Sequence, residues 1–122
     1  MCWGVCMNKH YDSLQRALDQ DVLVLKANAL KALGHPTRLA IIEILSRGEQ
    51  CVCRIMDELE LEQAIVSKHL RILRDAGLVV ARKEGLNIYY SLACACIIRL
   101  MEHVTRTIKS ISELQRCVFE KI

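Results

Sequence analysis

The apolar residues between positions 63 and 92 change their spacing once, and that change leaves few folds open to the chain. Val66, Leu70 and Leu73 recur at steps of three and four, which predicts a helix from about Gln63 to Ala76 with one buried edge. Gly77 closes it. From Leu78 onward the period is two. Leu78, Val80 and Arg82 alternate with Val79, Ala81 and Lys83. Gly85 supplies a turn, and Ile88, Tyr90 and Leu92 then alternate with Asn87, Tyr89 and Ser91. Two period-two segments around a glycine read as a β-hairpin. Upstream, a short helix from about Cys51 to Leu59 carries Ile55 and Leu59 on one side, and only Glu60 to Glu62 separate it from the next helix. Two helices joined so tightly read as a helix-turn-helix. With the hairpin behind it, the expected fold is a winged helix-turn-helix, mainly α with one small β-hairpin.

The remaining chain frames this unit. A helix starting near Asp12 or Ser13 carries Leu14, Leu18, Val22, Leu25, Ala29 and Ala32 at helical spacing and ends at Gly34. Pro36 suits the first turn of a second helix, where Leu39, Ile42 and Leu45 are expected inward and Gly48 is the stop. A last helix, residues 93–118, carries Ile97, Leu100, Met101, Val104, Ile108, Ile111 and Leu114. The chain has 122 residues, 52% of them apolar, which fits a single domain over residues 1–122 with one modest core. So small a core cannot cover the stripes of both the first and last helices. We therefore expect a homodimer built on them, with residues 1–12 as a mobile N-terminal arm.

The seven cysteines are Cys2, Cys6, Cys51, Cys53, Cys94, Cys96 and Cys117. An odd number, with no signal peptide in MCWGVCMNKHYD, points to a cytoplasmic protein with reduced thiols rather than a disulfide frame. No apolar run approaches the length of a membrane span, so no membrane partner is expected. Nor is there a Ser/His/Asp set, a carboxylate pair or a phosphate loop, so the chain reads as neither an enzyme nor a binder of small organic substrates.

The net charge of +3 is compatible with nucleic acid without identifying it. Its distribution is more informative. With Val66, Leu70 and Leu73 inward, Gln63, Ala64, Ser67, Lys68 and Arg71 point outward from the second helix of the helix-turn-helix, the element that enters the major groove. Gln can pair with adenine and Arg or Lys with guanine, while Ser67 and Lys68 also suit phosphate. Arg82, Lys83 and Asn87 flank the hairpin tip, where contact with the DNA backbone or minor groove is expected. The bland alternative is a set of ordinary solvated residues. The convergence of Lys68, Arg71, Arg74, Arg82 and Lys83 favours double-stranded DNA.

LGHPTRLAII, VSKHLRILRDAGLV and RKEGLNIYYSL closely resemble the ArsR/SmtB family of metal- and metalloid-responsive repressors, over residues 29–92. The resemblance implies a homodimer on an imperfect inverted repeat at its own promoter, released by an inducer. It also implies a role for Cys51-Val52-Cys53, here in EQCVCRI, where the family commonly has ELCVCDL. A Cys-X-Cys at this place marks a thiolate site for arsenite, antimonite, cadmium or lead.

Residues two apart on an ideal helix point to nearly opposite sides, so Cys51 and Cys53 can share an ion only if the first turn is irregular. Thiolates select soft ions. In the cadmium- and lead-sensing branch, two arm cysteines of one subunit join the pair of the other, and Cys2 and Cys6 match them in kind and rough placement. Four thiolates suit Cd(II), Pb(II) or Zn(II); three suit As(III) or Sb(III), the preferred inducers here. Many relatives hold zinc between subunits through an Asp-x-His on the last helix. This chain has Cys94 and Cys96 there, and Thr107 and Ser110 where the second half would fall. Cys94, Cys96 and Cys117 of either chain form a possible second site, against the alternative that all three are packing residues. His103 reads as a surface or interface residue, and His69 as structural or DNA-facing. Two other readings compete: a thiol redox sensor, opposed by Glu43 where that class places a cysteine, and a winged helix used only for protein contacts.

Overall fold

The computed structural model describes residues 9–120. Five helices and three strands are described: α1 (Lys9–Leu33), α2 (Pro36–Leu45), β1 (Gln50–Cys51), α3 (Val52–Leu59), α4 (Gln63–Asp75), β2 (Val79–Glu84), β3 (Asn87–Leu92) and α5 (Cys96–Glu120). The order is that of a winged helix-turn-helix, as the change of period predicts. Three boundaries differ from expectation. α1 is described from Lys9, ahead of the start expected at Asp12 or Ser13, and the rest of the expected arm lies outside the described residues. α5 begins at Cys96, leaving Ala93 to Ala95 in the connection from β3. The third helix starts one residue late because Cys51 belongs to a strand.

That strand makes the hairpin a three-stranded antiparallel sheet in the order β1-β3-β2. Gln50 pairs with Tyr90 and Cys51 with Tyr89 on one side of β3. On the other side the ladder runs from Val79–Leu92 to Glu84–Asn87. The hairpin turns through Gly85 and Leu86, and Gly85 takes the left-handed conformation (φ 61°) that glycine adopts without steric cost. Between α3 and α4 a left-handed residue is again required, and here Glu60 fills it (φ 53°), with Leu61 packed on the core beside it.

The core lies where α2, α3, α4 and the base of the sheet meet. Ile41, Ile42, Ile55, Val66, Leu70, Leu73 and Val79 are fully buried, each contributing on the order of 2 kcal/mol by removal from water. The predicted edge of α4 is therefore the buried one. On α2, Ile42 and Leu45 are inward as expected and are joined by Ile41 and Ile44, while Leu39 lies on the surface facing α5. Pro36 opens α2, and His35 caps it by accepting the Thr37 amide hydrogen at Nδ1 (3.1 Å).

α1 and α5 behave differently. Among the described side chains of α1, Ala32 and Leu33 reach the core, and Leu18, Val22, Leu23, Val24, Leu25 and Leu30 are exposed. α5 is anchored by Ile97 and leaves Leu100, Val104, Ile108, Ile111 and Leu114 exposed. Two long apolar faces thus find no cover among the described residues of one chain. Among the described residues no helix is long and apolar enough to cross a membrane.

Candidate nucleic-acid interface and thiol pair

Burial of Val66, Leu70 and Leu73 fixes the rotation of α4, and Gln63, Ala64, Ser67, Lys68 and Arg71 are all exposed. The helix is held at its back by a polar joint. Arg38 of α2 donates through Nε to the Ala32 carbonyl, and through a terminal nitrogen to the Lys31 carbonyl (3.3 Å). Its other terminal nitrogen lies 3.2 Å from His69 Nδ1. The His69 ring stacks obliquely on His35 with centroids 4.6 Å apart. His69 is thus a half-buried structural residue that ties α4 to the α1–α2 corner. Burial, helped by the charges of His35, Arg38 and Lys68, pushes its pKa below the ordinary value.

On the wing the expected cations divide. Lys83 is exposed and makes no ion pair among the described residues. Arg82 is engaged: its guanidinium forks onto Glu49 (2.6 and 3.2 Å), reaches Glu84 (2.6 Å), and lies over the Tyr89 ring at 4.9 Å. Both carboxylates raise the Arg82 pKa further, those hydrogen bonds being the main cause. Arg82 is therefore a strut between the wing and the segment that enters β1. Glu49 carries no local sequence signal for this role, because its partner is thirty-three residues away. Asn87 is exposed at the start of β3, opposite Glu84.

Cys51 and Cys53 meet because the helix does not include both. Cys51 is the extended residue ahead of α3 (φ −68°, ψ 148°), and Cys53 is the second residue inside it. Their Sγ atoms lie 2.6 Å apart. The irregular first turn that a shared ion requires is thus built into the strand–helix junction. Cys51 is half-buried and Cys53 exposed. Cys51 makes no formed cap hydrogen bond, yet its pKa falls below the usual thiol value. The Cys53 thiol beside it is the main cause, with the first-turn amides of Cys53 and Arg54 adding to it. The Cys53 pKa rises, chiefly through Cys51.

Both cysteines open onto a groove of about 320 Å³ that is also lined by Met56, Gln63, Ser67, Asn87 and Tyr90. One concavity therefore joins the thiols to the start of the reading helix and the wing tip. The sequence pattern alone does not reveal that junction.

The other cysteines separate. Cys94 and Cys96 are joined as a disulfide, with Cα atoms 5.2 Å apart, in place of the expected free thiols. Cys117 lies twenty-one residues further along α5 than Cys96, about 30 Å at ~1.5 Å per residue, so it cannot join them within one chain. Cys2 and Cys6 lie outside the described residues. Among the described residues, no three His, Cys, Asp or Glu side chains come together as a metal site. On α5 the Thr107 hydroxyl donates to the His103 carbonyl (2.8 Å).

The sequence profile described as "Bacterial regulatory protein, arsR family" matches residues 35–80. The arsenical resistance operon repressor of Escherichia coli (strain K12) is 37% identical over 101 residues, covering 81% of this chain and 80% of that one. A cadmium resistance transcriptional regulatory protein homologue of Staphylococcus aureus is 42% identical over 77 residues, covering 62% and 64%. Among solved structures, a homodimeric winged helix-turn-helix DNA-binding domain of Mycobacterium bovis, described as a possible ArsR-family regulator, superposes with a TM-score of 0.70 at 32% identity. That match covers 78% of this chain and 88% of the other.

Proposed function

The chain belongs to the arsR family of bacterial regulatory proteins, and from that membership we propose that it is a homodimeric repressor that leaves its operator when a soft ion binds Cys51 and Cys53. The observation that carries this reading is the shared groove: the thiol pair and the base-reading residues Gln63 and Ser67 line one concavity. An ion bound there needs no long pathway to disturb DNA. It pulls on the junction that begins α3 and fills space beside the start of α4.

The donor set fits a soft ion in part. Two sulfurs at one junction match thiophilic ions and exclude hard ones. A third thiolate must come from elsewhere, and we assign it to Cys2 or Cys6 of the arm. Three thiolates complete a pyramid for As(III) or Sb(III), and we take As(III) as the inducer. The 37% identity to an arsenical resistance repressor supports this choice. A second reading, Cd(II), Pb(II) or Zn(II) on four thiolates, draws on the presence of both arm cysteines and on the cadmium-resistance relative.

On DNA, Gln63, Ala64, Ser67, Lys68 and Arg71 face the major groove, and Lys83 and Asn87 of the wing reach the flanking backbone. The apolar faces of α1 and α5 join two copies, as the homodimeric neighbour supports.

The test is operator release followed during titration with As(III), Sb(III), Cd(II), Pb(II) and Zn(II). Cys51→Ser and Cys53→Ser keep operator binding and lose release, while Cys94→Ser, Cys96→Ser and Cys117→Ser respond like the parent. By linkage, saturating operator weakens ion binding by the same factor that the ion weakens operator binding. Release at unchanged ion concentration from both the Cys51 and Cys53 variants overturns the assignment.

A further inference from the structure

A second sulfur pair stands apart from the groove, and neither DNA reading nor the ion site uses it. Cys94 lies in the connection between β3, which ends at Leu92, and α5, and Cys96 is the first residue of α5. Both are exposed. The connection is tightly bonded. The Ala93 amide donates to the Leu78 carbonyl (2.9 Å), tying it to the base of the wing. The Cys94 and Ala95 carbonyls accept the Ile97 and Ile98 amides (3.2 and 3.1 Å), forming the first turn of α5. The Cys96 amide points at Cys94 Sγ (3.3 Å). Because Ala95 lies outside the helix, the two side chains meet on one side of the turn, where a regular helix would separate them.

We propose that Cys94 and Cys96 form a reversible thiol–disulfide site that exchanges with low-molecular-weight disulfides of the glutathione type, and that its redox state adjusts operator affinity. Exposed disulfides have higher reduction potentials and are among the labile, regulatory ones. The exchange balances without a further reagent. The Cys94 thiolate attacks one sulfur of the small disulfide, forming a mixed disulfide and expelling one thiolate. The Cys96 thiolate then attacks Cys94 Sγ and expels the second. The protein loses two electrons and two protons, and one small disulfide becomes two thiols. Attack begins at Cys94 because the Cys96 amide faces its sulfur and favours negative charge there. The ring closes over the chain connection between the wing and α5, so oxidation constrains that connection and reduction removes the constraint. This site differs from the Cys51–Cys53 pair in place, and its test does not depend on any ion.

The chain offers a clean readout. Cleavage after Lys83 and Arg99 yields a peptide of residues 84–99 whose only cysteines are Cys94 and Cys96. Full-length, ion-free protein is equilibrated in glutathione buffers from reducing to oxidising, quenched with acid, alkylated, digested and weighed. The expected result is that this peptide passes from a doubly alkylated form to one that takes no alkyl group and is lighter than the free dithiol by one hydrogen molecule. Operator affinity is expected to change threefold or more over the same buffers, and the change to vanish in Cys96→Ser. A peptide that stays alkylated throughout overturns the proposal, as does one that ends as a glutathione adduct or a cross-linked pair. Closure of the ring with no difference between parent and Cys96→Ser in operator affinity overturns the regulatory role.

Discussion

Cys51 is the last residue of a strand and the cap of a helix at once, and its chemistry follows from that double position. Its backbone pairs with Tyr89 in the wing, while its sulfur lies against Cys53 at the start of α3. Helical periodicity does not distinguish a cysteine that caps a helix from one inside it, so the residues of the site are legible in the sequence and their geometry is not. His69 illustrates the same limit. A histidine between Lys68 and Leu70 on the reading helix has two plausible directions, and only burial against His35 and Arg38 decides between them. It also supplies a pH prediction. Its folded pKa lies below the ordinary 6.5, so the unfolded chain binds the proton more readily. The stability held by neutral His69 is therefore present above about pH 6.5 and is lost as the pH falls below that value and through the lower folded pKa. His69→Gln retains an acceptor for Arg38 and removes the titration. At equal protein concentration, the parent's urea midpoint is expected to fall more between pH 7.5 and 5.5 than the variant's. Equal falls count against this assignment.

At the level of elements, α4 and the wing are the parts most clearly written in the sequence, because the change from helical to alternating spacing occurs at Gly77. β1 is invisible there: two residues, Gln50 and Cys51, are too few to display a period. Its neighbour Glu49 is equally silent, since the bond to Arg82 links distant parts of the chain. Yet these two features determine how the wing is held. The Arg82 guanidinium is occupied by Glu49 and Glu84, which leaves Lys83 as the wing cation available to phosphate. Lys83→Ala is therefore expected to weaken binding to every DNA sequence and to reduce the salt slope by roughly one unit per subunit. Glu49→Gln removes one of the two carboxylates that hold Arg82 and is expected to strengthen binding to all sequences and steepen the slope. Log–log plots of affinity against salt check both. A flatter slope in Glu49→Gln would show that Arg82 needs its strut to act at all.

For the molecule as a whole, the inference of a partner copy is legible in advance because it needs only the stripes, whereas the pairing geometry does not follow from them. Residues 15–28 of α1 are exposed or nearly so, and the apolar face of α5 is open from Leu100 to Leu114. We expect a dimer by light scattering at micromolar concentration, with thiols reduced and no ion present. Ile108→Glu, placed on the open face of α5, is expected to give monomers and to lower helical circular dichroism, because most of a helix's stability in a protein comes from packing its apolar face. A variant that stays dimeric with unchanged helicity would move the interface elsewhere.

The uncovered face of α1 also bears on how long a chain survives. Until it meets a second copy, a newly made subunit presents Leu18, Val22 and Leu25 to water on a helix that, among the described residues, is anchored to the core at Ala32 and Leu33. Such a segment opens readily, and proteolysis follows the population of open forms. Turnover then falls mainly on unpaired subunits, so the rate of encounter between copies sets subunit lifetime. A cell making the protein slowly keeps less of it than the rate of synthesis alone would give.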